Sequence, residues 1–324
     1  MSIPFDRRGF YRASDVTRRA SGYAEARVAW RSGELDRLRR GVYATPEIGA
    51  DPQRRHRRAA LAALYAVSQP AALSHETAAL FWGLPVLEMP TRVHITTGPG
   101  RAPAGVRGVT KHRVTLKTSD VVELDPGVPV TSLERTLLDV LRGTTFEAGV
   151  VLMDRALAQW PQGARGERGI GLRAAMEERV SACPSPQGTR MAADVLEFAD
   201  SRSESPGESL SRARIAQLGF AAPQLQHEVR EGGRLLGRVD FWWPACRIVG
   251  EFDGAVKYGR LAGDAGGLAA LVEEKNREDG IRRRVNGFVR WGWKDALDGR
   301  GLAEALAAAG VPHRQVFEQR RRFV

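Results

Sequence analysis

The chain has 324 residues, 27% charged and 43% hydrophobic, with a formal net charge of +11. That length allows two or three domains with ample core, and the charge favours a polyanionic partner. No apolar run is long enough to span a bilayer, so no membrane partner is expected. The N-terminal MSIPFDRRGFYRASD lacks the apolar core of a secretory signal, and a cytoplasmic location is expected. Cys183 and Cys246 have no CxxC or CxxH neighbour. They suggest neither a disulfide framework nor a zinc site. Nearly all the basic residues are arginine, a bias that a GC-rich genome also produces without selection for nucleic acid.

Residues 1–50 predict a small winged helix-turn-helix unit. Ser14-Asp15 caps a short helix, ASDVTRRA, and Gly22 supplies the turn. A second helix, YAEARVAWRSGEL, loses regularity at Gly33. LDRLRRGVYATP alternates like a strand or wing, bending at Gly41 and stopping at Pro46. Helix, turn, helix and basic hairpin is the order of a DNA-binding helix-turn-helix. Arg18, Arg19, Arg27, Arg31, Arg37, Arg39 and Arg40 are then the candidate phosphate contacts. The competing reading is a small helical cap with a solvated arginine face.

Residues 51–160 read as a mixed α/β domain. QRRHRRAALAALYAV and HETAALFWGL have helical periodicity, RVHITT and GVTKHRV are strand-like, and LERTLLDVLRG and VVLMDRALAQW are helical again. His75, Glu76, Glu134, Arg135 and Asp139 fit structural roles at helix starts, and sequence order alone supports no catalytic triad. The segments SDVTRRA, SGELDRL, RGVYATP, LSHETAALFWGLPV, RVHITTG and VTSLERTLLDVLR together resemble abortive-infection antitoxins of the AbiEi type. The resemblance implies a winged helix-turn-helix that represses its own operon on double-stranded DNA. It also brings a homodimer and a cognate toxin into consideration as partners. Residues 161–190, rich in Gly, Pro and Arg, predict a linker with one short helix, RAAMEERVSA.

Residues 191–324 carry the chemistry. MAADVLEFAD and SPGESLSRARIAQLG are helical, with Gly219 beyond the second. QLQHEVRE, RLLGRVDFWW and RIVGEFDG are strand-like. EEKNREDGIRRRV is a charged helix, GFVRWGW a strand, and KDALDGRGLAEALAAAG a closing helix. Carboxylates inside apolar strands need a partner or a metal. Alternation puts Glu251 and Asp253 on one side of their strand, with Asp240 on the preceding strand and Glu208 on the helix before it. Such a set suits Mg²⁺ or Mn²⁺, which takes one or two carboxylates with water and phosphate and activates water against a phosphodiester. The competing reading makes Glu208 a helix cap, because Ser205-Pro206-Gly207-Glu208 is a capping box.

The order Glu208, Gln226, Val239-Asp240-Phe241, Glu251-Phe252-Asp253-Gly254, Lys257, Arg277 and Val289-Arg290-Trp291 resembles the very-short-patch-repair-like branch of the PD-(D/E)XK nucleases. The resemblance implies a restriction-endonuclease-like α/β/α domain over 191–324, so the whole chain is expected to be multi-domain α/β. It makes Asp240 and Glu251 metal ligands and Glu208 an outer ligand, with Gln226, Asp253, Lys257 and Arg277 as further site residues. Two positions depart from the pattern: Asp253 stands where the superfamily has lysine, and Lys257 where the branch has histidine. A metal-dependent DNA endonuclease is the leading expectation. The alternative is a non-catalytic regulator or antitoxin with a residual nuclease fold.

Overall fold

The computed structural model describes residues 6–13, 22–67, 70–99, 106–160, 171–184, 186–254, 275 and 277–313. The chain forms two compact units, residues 1–140 and 141–324. It is mixed α/β throughout, with three sheets.

The first unit begins with β1 (Phe10–Arg12), α1 (Gly22–Arg31), β2 (Asp36–Arg39) and β3 (Val42–Ala44). The strands form an antiparallel sheet in the order β1-β3-β2. Gly33 ends α1 and Gly41 turns the β2-β3 hairpin, both at positive φ, where glycine carries no steric penalty. Tyr11, Ala26, Ala29, Leu35 and Tyr43 close the small core. The expected helix ASDVTRRA falls mostly on residues outside the described ones, as do Arg18 and Arg19.

α2 (Pro52–Ala66) starts with Asp51 as N-cap, accepting from the Arg54 amide at 2.8 Å. There follow β4 (Ala71–Leu73), α3 (His75–Phe81), β5 (Val93–Thr97), β6 (Val109–Arg113), β7 (Val121–Asp125), β8 (Val128–Thr131) and α4 (Leu133–Leu141). The five strands make one mixed sheet, β6-β5-β4-β8-β7, in which β5-β6 and β4-β8 are parallel. Ala60 and Ala63 of α2 and Ala78 of α3 pack with Leu73, Val93, Ile95, Val109, Val128 and Val130. Strands β1, β4, β7 and β8 had no sequence expectation.

The second unit contains α5 (Phe146–Gln159), α6 (Leu172–Ser181), α7 (Thr189–Phe198) and α8 (Pro206–Gln217), then β9 (Gln224–Glu231), β10 (Arg234–Trp243) and β11 (Ile248–Asp253). After them come α9 (277–282), β12 (Gly287–Gly292), α10 (Trp293–Asp298) and α11 (Arg300–Ala309). The sheet order is β12-β11-β10-β9, antiparallel except for the parallel β11-β12 pair. Adjacent residues of β11 point to opposite faces. Val249 packs with Ile281 of α9, whereas Gly250 lies against Trp243 and Trp291, and Trp291 donates to Ser211 Oγ of α8 at 2.8 Å.

The chain divides at residue 140 rather than the expected 160, because α5 belongs to the second unit. Asp154 in the middle of α5 is fully buried and takes a two-pronged ion pair from Arg212 of α8, both contacts 2.8 Å. The Asp200 amide adds a bond to Asp154 at 2.7 Å. Burial pushes the Asp154 carboxyl above its ordinary range, against the pull of Arg212. The expected linker also changes character. Leu172, Met176 and Val180 of α6 are buried, and Arg173 donates to the carbonyls of Leu196 and Ala199, so α6 is packed on α7. The single closing helix is two helices, α10 and α11, because Gly299 between them adopts the left-handed conformation.

Candidate functional site

The second unit presents its candidate residues along consecutive elements, α8, β9, β10, β11 and α9. Ser205 starts α8 as N-cap and Pro206 takes the first helical position, where its missing N–H costs nothing. The Ser205 hydroxyl donates to Glu208 Oε1 at 2.7 Å and accepts from the Glu208 amide at 3.2 Å. The Glu204 amide donates to Glu208 Oε2 at 2.9 Å. Glu208, only 8% exposed, thus has the Ser205 half of the expected capping box, while its reciprocal bond comes from the Glu204 amide rather than from that of Ser205. It has one partner beyond them: Gln226 Nε2 donates to Oε2 at 2.8 Å. Gln226 sits at φ +53° in mid-strand, a conformation uncommon for non-glycine residues.

The position of α8 depends on a missing side chain. A Cβ added to Gly207 would run into the Phe252 ring, which is itself held edge-on against Trp293 at 5.2 Å. Glycine at 207 lets the first turn of α8 rest directly on β11.

Asp240 and Glu251 follow the Phe241↔Gly250 pair on β10 and β11. Asp240 Oδ2 accepts the Phe252 amide at 2.9 Å, so a side chain satisfies a backbone donor at the end of the ladder. Glu251 is 8% exposed and meets two arginines. Arg277 Nη2 donates to its Oε1 at 3.0 Å and Arg290 Nη2 to its Oε2 at 2.7 Å. Arg277 also reaches the Arg238 carbonyl at 3.3 Å. Arg290 is shared with Glu278 at 3.1 Å. Burial pushes the Glu278 carboxyl up, but hydrogen bonds and charge from Arg282 and Arg290 hold it below its ordinary range. Asp253 ends β11 opposite Gly292, half-buried. Lys257 lies outside the described residues.

The structure therefore joins Glu208 to Gln226 and Glu251 to Arg277, as the sequence pattern groups them. It does not gather three carboxylates on one point. Among the described residues, the set of three ligating side chains with atoms mutually within 4.8 Å is His75, His94 and His112 in the first unit. The sequence reading placed Arg290 in the Val289-Arg290-Trp291 motif but gave it no role at the site. The signal for it was alternation in β12, which places it between buried Val289 and Trp291.

In the first unit, Arg27, Arg31, Arg37 and Arg40 are exposed, and the Arg37 guanidinium lies over the Trp30 ring, 5.1 Å from its centroid. Arg39 differs from them. It is half-buried and donates to the Arg107 carbonyl at 2.8 Å, and burial holds its pKa below the ordinary value. One of its N–H groups is thus committed to the backbone of residue 107.

No family model matches the chain. Two proteins of Mycobacterium tuberculosis are similar over 99 residues at 34% identity: uncharacterized protein Rv2248 of strain ATCC 25618 / H37Rv and uncharacterized protein MT2308 of strain CDC 1551 / Oshkosh. The match covers 31% of this chain and 36% of each relative, so the chain spans about a third of the curated relatives' length. Among solved structures, the RV2827C protein from Mycobacterium tuberculosis is similar over 64% of this chain and 76% of its own, at 19% identity and a TM-score of 0.40.

Proposed function

We propose that the chain is a metal-dependent DNA endonuclease with a restriction-endonuclease-like second unit, targeted to double-stranded DNA by an N-terminal winged helix-turn-helix. The observation that carries this reading is the run α8-β9-β10-β11-α9. It sets Glu208 against Gln226, Asp240 against the Phe252 amide next to Glu251, and Glu251 against Arg277. The all-oxygen donors of Asp240 and Glu251 fit Mg²⁺ or Mn²⁺, which completes its shell with water and phosphate. A bound ion supplies Lewis acidity and an activated water. Glu208 and Gln226 orient the edge of the site from α8 and β9. Arg277 is placed to neutralise phosphate charge once Glu251 turns to the ion. The exposed Arg27, Arg31, Arg37 and Arg40 supply non-specific backbone contacts.

A second reading is a non-catalytic DNA-binding regulator or antitoxin. The pairing of both Glu251 oxygens with arginines favours it, because the charge is already balanced without a metal.

Purified full-length protein, incubated with plasmid, linear and mismatched DNA in Mg²⁺ or Mn²⁺, separates the two. The enzyme reading expects cleavage that EDTA abolishes and that Asp240→Asn and Glu251→Gln reduce by orders of magnitude while duplex binding persists. Salt-sensitive duplex binding with no cleavage on any of these substrates selects the regulator instead.

A further inference from the structure

Three of the chain's six histidines meet in the first unit. His75 is the first residue of α3, His94 lies in β5 and His112 in β6. The parallel register pairs His94 with Thr110 and Thr96 with His112, so His94 and His112 project from one face of the sheet, two residues apart in register. The His112 ring stacks on that of His75, centroids 3.5 Å apart and planes at 16°. One nitrogen from each of the three rings lies within 4.8 Å of the other two.

His94 Nδ1 and His112 Nε2 are 3.2 Å apart. Two nitrogens on a tetrahedral zinc, each bonded at about 2.0–2.1 Å, stand about 3.4 Å apart. A hydrogen bond between two imidazoles would give the same spacing, but it would not call for the groups beside it. The His75 Nδ1 contacts the buried Ser74 Oγ at 3.1 Å, a bond that fixes the ring and leaves Nε2 with a lone pair when Nδ1 carries the proton. Glu76 Oε2 is buried, accepts no hydrogen bond, and sits 3.4 Å from His94 Nδ1. A carboxylate oxygen so placed lacks compensation unless a cation adjoins it. His75 also holds φ +53°, an αL conformation that costs a non-glycine residue energy and is met at ligand sites.

We propose that His75, His94 and His112 bind one divalent transition-metal ion, zinc, with Glu76 as the flanking carboxylate. The donor set is nitrogen-based, which suits zinc and its neighbours rather than Mg²⁺. Burial and the neighbouring imidazoles hold His75 down to about 3, and the same causes hold His112 down to about 4. Burial also holds His94 below its ordinary range, against the pull of Glu76. Metal ligation takes the neutral form of each ring. Coordination by all three would tie α3 to β5 and β6. The site is separate from Asp240 and Glu251 and does not rest on the nuclease reading.

The test uses full-length protein stripped with a chelator, titrated with Zn²⁺ by calorimetry and with Co²⁺ by visible absorption. We expect one Zn²⁺ per chain and the visible bands of a nitrogen-ligated Co²⁺ site. His94→Ala and His112→Ala lose more affinity than the roughly 10–100-fold that removal of an outer partner costs, and Glu76→Gln falls within that range. His75→Asn, whose side chain tolerates the αL conformation, behaves like the other histidine variants. Asp240→Asn binds Zn²⁺ as the parent does, which separates this site from the carboxylates. Zn²⁺ binding that survives both His94→Ala and His112→Ala overturns the proposal, as does folded parent protein that binds no Zn²⁺. Should the alanine variants fail to fold, the parent's Co²⁺ spectrum decides, and absence of nitrogen-ligand bands overturns the assignment.

Discussion

Arg290→Gln tests whether Glu251 is a metal ligand. Arg290 holds Glu251 Oε2 at 2.7 Å, and its side chain is 31% exposed. A solvent-exposed pair is worth about 0.2–1 kcal/mol, and a well-shielded hydrogen bond to a charged group about 1.5–3 kcal/mol. This contact lies between the two, near about 1 kcal/mol once solvent screening is allowed for. A metal that takes Glu251 Oε2 must displace Arg290 and give up that energy. Replacing Arg290 with glutamine removes the competition, and about 1 kcal/mol corresponds to roughly fivefold tighter binding. Val289 and Trp291 keep β12 packed, and Arg277 remains on Oε1, so the variant should fold. The assay is the Mg²⁺ concentration that half-saturates the rise in melting temperature, since an ion that binds only the folded state stabilises it. The midpoint should fall about fivefold in Arg290→Gln, and the response should vanish when Glu251→Gln is added. An unchanged midpoint in a folded Arg290→Gln protein refutes the claim that Glu251 coordinates the ion.

Asp154→Ala strands the buried Arg212 charge and should destabilise the second unit by about 3–5 kcal/mol in urea unfolding; a loss below about 1 kcal/mol would show that water replaces the carboxylate. In chelator-stripped protein, acid should destabilise the first unit through its histidines. Burial and the neighbouring imidazoles hold folded His75 down to about 3 and His112 down to about 4, whereas unfolded histidine titrates near 6.5. Their contribution is complete above about pH 6.5 and is lost as pH falls toward the folded values. Glu76, Arg92 and Arg135 face the cluster and modulate it. The melting temperature should therefore drop between pH 6.5 and 4 more steeply in the parent than in His112→Asn, and equal slopes would assign the acid sensitivity to carboxylates.

Local pattern made the helices α2, α5, α7 and α8 and the strands β5, β6 and β9 to β12 legible. Each is long enough, or alternates clearly enough, to show its period. The Glu208 cap was equally legible, because Ser-Pro-x-Glu is a local motif. Two features were not. α5 reads as one more amphipathic helix of the middle region, and only the burial of Asp154 against Arg212 assigns it to the second unit. The histidine cluster draws its members from a helix start and two strands, and their separations in sequence fit no ligand motif. Only the parallel pairing of β5 with β6 brings His94 and His112 together. Arg39 sits among exposed arginines in sequence, and nothing local marks it as the one bound to the Arg107 carbonyl.

The contact between Gly207 and Phe252 also bears on how sequences are compared. The depth of Glu208 relative to the strands is fixed by a hydrogen atom where any other residue would carry carbon. One methyl group at position 207 would lift the start of α8 away from β11 while leaving every carboxylate of the nuclease-like pattern in place. A comparison based on acidic positions alone would not register such a change. Position 207 is therefore a place where a change of one methyl group alters how α8 meets β11 without touching a polar residue.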